Sequence, residues 1–165
     1  RAGYLRDVVT VEHFHDLGKL LFAFTVFWAY IAFSQYFLIW YGNMPEETVW
    51  YLARGVGAWK TVSILLALGH FVVPFSFLMP QTIKRRTGLL ATRAVWMLVM
   101  HAVDVYWLVM PTLLADGPTF HLVDLTALFA VGGVFVGAFG WLLTRGALVP
   151  LRDPRLAESL GFENA

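Results

Sequence analysis

The sequence predicts an all-α integral membrane protein: a four-transmembrane-helix bundle with a short interfacial helix after the first span and both termini cytoplasmic. Three observations carry that prediction. Hydrophobic residues make up 59% of the chain and charged residues only 14%, whereas soluble domains carry roughly a quarter charged residues. The windows Leu20–Tyr41, Thr61–Met79, Ala94–Ala115 and Leu125–Thr144 each approach or pass the ~20 residues needed to cross a bilayer. Asp104 is the only charge inside any of them. A segment in lipid must satisfy its own backbone polar groups, which leaves helix as the conformation for all four.

Taken in order, residues 1–16 read as a cytoplasmic N-terminal segment and residues 17–41 as the first span. The chain starts at Arg1 without Met, which predicts a piece of a longer polypeptide. After the first span comes Asn43-Met44-Pro45-Glu46-Glu47-Thr48. Asn43 suits a cap, Pro45 suits a first helical turn, and the two carboxylates complement the helix dipole. A short helix over 45–54 is expected on the outer surface, with Trp50 dipping into the interface. The remaining spans cover 60–80, 89–110 and 122–144, and a polar tail runs over 146–165. Pro80 and Pro111 stand where the second and third spans should stop. In the fourth, Gly133 and Gly137 are spaced for close helix packing. No Gly/Pro break of the kind that builds transporter sites is read at mid-membrane.

Orientation follows from the basic residues. Arg1, Arg6, Lys19, Lys84, Arg85, Arg86, Arg93, Arg145, Arg152 and Arg155 fall on one side, against Arg54 and Lys60 on the other. The positive-inside rule places the first group in the cytoplasm. Trp40, Tyr41, Trp50, Tyr51, Trp59, Tyr106 and Trp107 then form an aromatic belt at the outer interface.

The chain has no cysteine, so it holds no disulfide, thiolate zinc site or iron–sulfur cluster of its own. Its basic residues are spread along loops, which gives no nucleic-acid surface. Ionisable groups within spans are the functional candidates. On the third span Arg93, His101 and Asp104 fall within about 80° of one another around the helix axis, with Met97 between them. His70 lies at similar depth on the second span, with Ser63 two turns away. Asp124 stands near the outer end of the fourth span beside His121, where capping competes with any relay role. Ser34 and Gln35 are the polar contribution of the first.

Three chemistries use this set. One is a proton relay through His70, Arg93, His101, Asp104 and Asp124, since histidine titrates near neutrality and burial raises a carboxyl toward it. Another is a haem between His70 and His101, in a b-type cytochrome subunit. The third is packing alone, in which His101 and Asp104 bond to each other or to a neighbouring helix and the chain serves as a structural membrane anchor. His13, His15 and Asp16 lie close enough to suggest a metal, but without a fourth ligand they read as an ordinary surface helix start.

The stretch Phe27-Trp28-Ala29-Tyr30-Ile31-Ala32-Phe33-Ser34-Gln35, running into Trp40-Tyr41-Gly42-Asn43-Met44-Pro45-Glu46-Glu47-Thr48, is distinctive. It resembles the polysulphide-reductase-type (NrfD-like) membrane subunits of bacterial alternative complex III, the second quinone-binding subunit in particular. The resemblance is strongest over residues 20–60 and rests mainly on topology elsewhere, with the four spans matching a C-terminal bundle. It implies a subunit of a respiratory quinol:cytochrome c-type oxidoreductase in the bacterial cytoplasmic (inner) membrane. It implies as partners a sister NrfD-like quinol-binding subunit, an iron–sulfur protein and c-type cytochromes. Haem and iron–sulfur clusters would then sit in those partners, with quinone or menaquinone as the small molecule near this chain. No quinone ligand is carried over from the resemblance, and the Arg93–His101–Asp104 stripe with His70 opposite is the candidate route for protons.

Overall fold

The computed structural model describes Leu5, residues 8–150 and residues 152–161, with only the backbone of Gln81 and Thr82. Arg1 and Arg6 of the basic-residue count lie outside the described residues, as do other parts of the N-terminal segment and tail. Among the described residues, four helices are long and apolar enough to cross a membrane, over Val11–Gly42, Gly57–Leu78, Thr87–Thr112 and Leu122–Leu143. The chain divides into two compact units, one formed by Val11–Pro118 and the other holding the fourth long helix.

Helix α1 (Val11–Gly42) has 32 residues, about 48 Å at 1.5 Å per residue. It starts six residues before the predicted span, so its first turns, with Glu12, His13, His15 and Asp16, extend beyond the apolar stretch. Asn43 ends it. Its backbone takes the left-handed conformation (φ 48°), and its N–H bonds back to Ile39 O at 3.0 Å. Asparagine is one of the few side-chain-bearing residues that tolerate this geometry at a helix end. Asn43 therefore terminates α1, whereas the sequence pointed to a cap on the helix that follows. That helix, α2 (Pro45–Arg54), begins on Met44 without a side-chain cap and carries Pro45, Glu46 and Glu47 in its first turn.

The second span changes its helical pitch part-way. It runs as α3 (Gly57–Leu66), a π-helical turn over Ala67–Val72, and α4 (Val73–Leu78). Pro74 is the physical cause: it has no N–H to give and its ring crowds the preceding turn. Within the π turn the Val73 N–H reaches back five residues to Leu68 O. The next such bond would run from residue 74 to Gly69 O, and Pro74 cannot make it. Trp96 supplies the missing donor from the third span, its Nε1–H reaching Gly69 O at 2.8 Å. Gly69 and Pro74 thus mark a π turn near mid-span, within a helix that continues over Gly57–Leu78.

A short α5 (Gln81–Lys84) leads into α6 (Thr87–Val109), which ends in a 3₁₀ turn at Met110–Thr112. Within this unit α1 meets α4 through Phe22 and Phe75, ring centroids 5.3 Å apart. A methyl at Gly69 would stand 2.8 Å from Met100 Cε, so the second and third spans approach closely there. In the other unit, α7 (Leu122–Leu143) is one uninterrupted helix, and α8 (Leu156–Leu160) is a short turn of the tail.

Much of the predicted aromatic belt is packed rather than projecting. Arg54 is the centre of that packing, 1% exposed at the end of α2. Its Nη1 donates to Trp50 O (2.8 Å), Nη2 to Leu108 O (2.7 Å) and Nε to Trp107 O (3.2 Å). The guanidinium also lies 3.5 Å from the Trp50 ring centroid, a cation–π contact. Burial lowers its pKa from the ordinary guanidinium value and raises that of neighbouring Tyr51. The guanidinium stays charged regardless. Trp59, 2% exposed, donates from Nε1 to Leu114 O at 2.8 Å. Trp40 and Tyr41 are exposed.

Replacing Arg54 with Met should lower unfolding stability in detergent by about 1.5–3 kcal/mol, the range for hydrogen bonds from a charged donor. Arg54→Lys should recover only part of that, because an ammonium cannot span three carbonyls. Thermal unfolding of both variants checks this, and an Arg54→Met protein as stable as the original would remove the clamp.

Candidate functional site

Four side chains from three helices meet at the middle of the Val11–Pro118 unit. Asp104 of α6 is 6% exposed and accepts a hydrogen bond from Trp28 Nε1 of α1 at 2.9 Å. The Trp28 indole stacks on His70, with centroids 4.0 Å apart and planes 6° apart. His70, in the π turn, is 4% exposed, and its Nδ1 has no hydrogen-bond partner among the described residues. Its ring stands edge-on to His101, 6.5 Å between centroids.

Local sequence explains why these groups converge. On α6 the buried positions are Leu90, Met100 and Asp104, so one face turns toward α1 and the second span. Asp104 lies on that face, and its carboxylate meets Trp28 without leaving the helix. His101 precedes it by three residues on the flank and is exposed. The predicted stripe therefore divides: Asp104 points inward, His101 sits at the edge beside His70, and Arg93 is partly covered. The Arg93 guanidinium lies 3.8 Å from the Phe77 ring centroid. No hydrogen bond joins His101 to Asp104 among the described residues; the helix-to-helix bond at Asp104 goes to Trp28.

Asp124 stands apart from this group. Its Oδ2 accepts the His121 backbone N–H at 2.9 Å, so it caps the start of α7. Gly133 and Gly137 lie about one turn apart along the same helix. Of the polar residues on α1, Ser34 donates to Ile31 O of its own helix at 3.0 Å. Gln35 lines the cleft described next. Ser63 lies between elements, accepting from Trp107 Nε1 (2.8 Å) and donating to Arg54 O (2.9 Å).

A cleft of about 1540 Å³ opens between α1, α2 and the second and third spans. Its wall is mostly apolar, with Gln35, Ser63, Arg54 and Asp104 among its few polar groups. Several of its lining residues, Phe33, Trp40 and Leu52 among them, are exposed, so it is an open groove along the helices. Among the described residues, Asp104 is the only carboxylate that lines it.

Neighbouring side chains pack close to His70 on one side. Met100 packs against Gly69, and Trp96 binds the Gly69 carbonyl directly next to His70. At the start of α1, His15 is buried (3% exposed) rather than on the surface as expected. Asp16 pairs with Lys19 at 3.1 Å and Glu12 with Arg85 at 3.4 Å. No group of three metal-ligating side chains forms among the described residues.

Nothing in the sequence alone gives Trp28, Trp96 or Arg54 a place in this site. Trp28 lay within the distinctive stretch, but an aromatic on an apolar helix shows no partner until a second helix is placed. Gly69 and Pro74 were legible as a helix weakness, and they are the signal that could have marked His70. No protein-family model matches the chain, and no curated protein sequence matches it.

The Trp28–Asp104 bond should show in a double-mutant cycle of Trp28→Phe and Asp104→Leu. The expected coupling energy is about 1.5–3 kcal/mol, as for a hydrogen bond to a charged group. Thermal unfolding of the four proteins in detergent measures it, and coupling below about 0.5 kcal/mol means the two sites act independently.

Proposed function

We propose that the chain is a membrane subunit of a respiratory quinol:electron-acceptor oxidoreductase of the alternative complex III type, in the bacterial cytoplasmic membrane. The observation that carries this reading is one buried carboxylate, Asp104, in the wall of a large apolar cleft. The likeness of residues 20–60 to NrfD-like subunits supports it. Oxidising a quinol to a quinone releases two electrons and two protons. The electrons leave for the haem and iron–sulfur centres of the partner subunits. The protons need acceptors, and Asp104 is the cleft's carboxylate for that task. His70 and His101 continue the titratable path behind it, while Arg93, about 12 Å along α6 from His101 at 1.5 Å per residue, supplies fixed positive charge near the end rich in basic residues.

A second reading is a structural anchor. It is favoured by the Trp28–Asp104 bond, which already gives the carboxylate a partner across two helices. Asp104→Asn separates the two, because the amide oxygen still accepts from Trp28 but the side chain no longer takes a proton. An assembled complex carrying Asp104→Asn should oxidise quinol about a hundredfold more slowly, in the range a positioned base contributes. Full turnover in an intact complex would favour the anchor.

Both termini are assigned to the cytoplasm and α2 to the outer surface. The cysteine-free sequence allows single replacements, Glu46→Cys and Ser159→Cys. A membrane-impermeant maleimide added to spheroplasts should label the first and spare the second. The opposite pattern inverts the orientation.

A further inference from the structure

Trp28 and Asp104 line the cleft, whereas His70 does not. The Trp28 indole accounts for the difference. It lies parallel to the His70 ring at 4.0 Å, and its only polar atom, Nε1, is engaged by Asp104 at 2.9 Å. The indole therefore screens the imidazole from the cleft and occupies an acceptor site on the carboxylate. Behind it, His70 is left with a buried Nδ1 that no described residue satisfies, an arrangement that is costly and marks a site of function or stored strain. His70 also sits in the π turn, a local geometry frequent at functional sites. Because the indole forms part of the cleft wall, it has open volume to turn into without displacing a helix.

We propose that Trp28 is a gate between the cleft and His70. In the closed arrangement seen here, Asp104 faces the cleft and His70 is masked. When the indole swings into the cleft, it releases Asp104 Oδ2 and uncovers the imidazole in the same movement, so the two titratable groups come into reach together. The gate itself rests on geometry; its consequence for proton transfer rests on the quinol reading. Trp28 is thus a positioning residue acting through its two neighbours.

Diethyl pyrocarbonate acylates accessible neutral imidazoles, and peptide mass spectrometry of the treated intact complex reads each histidine separately. In the unaltered protein His70 should react far more slowly than in the denatured chain. Trp28→Ala should speed its acylation by more than about tenfold, the effect of a local opening made about 1.4 kcal/mol easier. Trp28→Leu serves as a second variant where the alanine protein does not assemble, and should act in the same direction. Trp28→Phe keeps a ring over the imidazole and should leave it masked, a distinction that general loosening of the bundle would not produce. The gate is overturned if His70 reacts freely in the unaltered complex, or stays masked in both Trp28→Ala and Trp28→Leu. Quinol turnover separates the two claims. A His70 unmasked by Trp28→Ala, with normal turnover in Asp104→Asn, keeps the gate and removes Asp104 as the proton acceptor; a His70 still masked in Trp28→Ala and Trp28→Leu, with turnover lost in Asp104→Asn, does the reverse.

Discussion

A carbonyl that loses its donor within an apolar span has no water to turn to, and the central unit is organised around that constraint. Pro74 deprives the π turn of one N–H, and Trp96 restores it from the third span. The same solution recurs at the other end of α6, where helix-terminal carbonyls of Trp107 and Leu108 receive the Arg54 guanidinium. Trp59 does likewise for Leu114. In each case the donor is a side chain from a different element. Satisfying the backbone and joining the helices are therefore one event.

The candidate site follows from these joints. Trp96 and Met100 bring the second and third spans together at Gly69, one residue before His70. That closeness places His70 against the buried face of α6, where Asp104 lies one turn beyond Met100. Helix α1 then contributes Trp28, whose flat face and single donor suit an imidazole on one side and a carboxylate on the other. Packing fixes the order of the groups, and the order sets which of them meets the cleft.

Apolar length made the four spans legible, because the bilayer demands it and few other structures use it. The expected bounds for α2 coincide with the helix, since Pro45 and the Glu46–Glu47 pair mark its start by local chemistry alone. Asp104 was legible as the lone charge in the spans. What could not be read was which side of α6 it faces: 80° of arc contains both the buried Asp104 and the exposed His101. Partners of Trp28 and Arg54 were hidden for a related reason. Each bonds to groups far away in sequence, and for Arg54 these are backbone carbonyls, which leave no trace in side-chain composition. The Trp59 bond was hidden because an indole near a helix end suits an orphan carbonyl as well as an interface.

The Arg54 clamp has a bearing on where such a protein can work. Its bonds are to carbonyl oxygens at the negative end of a helix dipole, with no carboxylate among them. Neither partner changes protonation over the pH range cells meet, and a buried contact of this kind is only weakly screened by salt. A fastening made from aspartate or glutamate would loosen in acid. This one keeps α2 locked to the end of α6 across that whole range, a fastening indifferent to the acidity of the medium beside it.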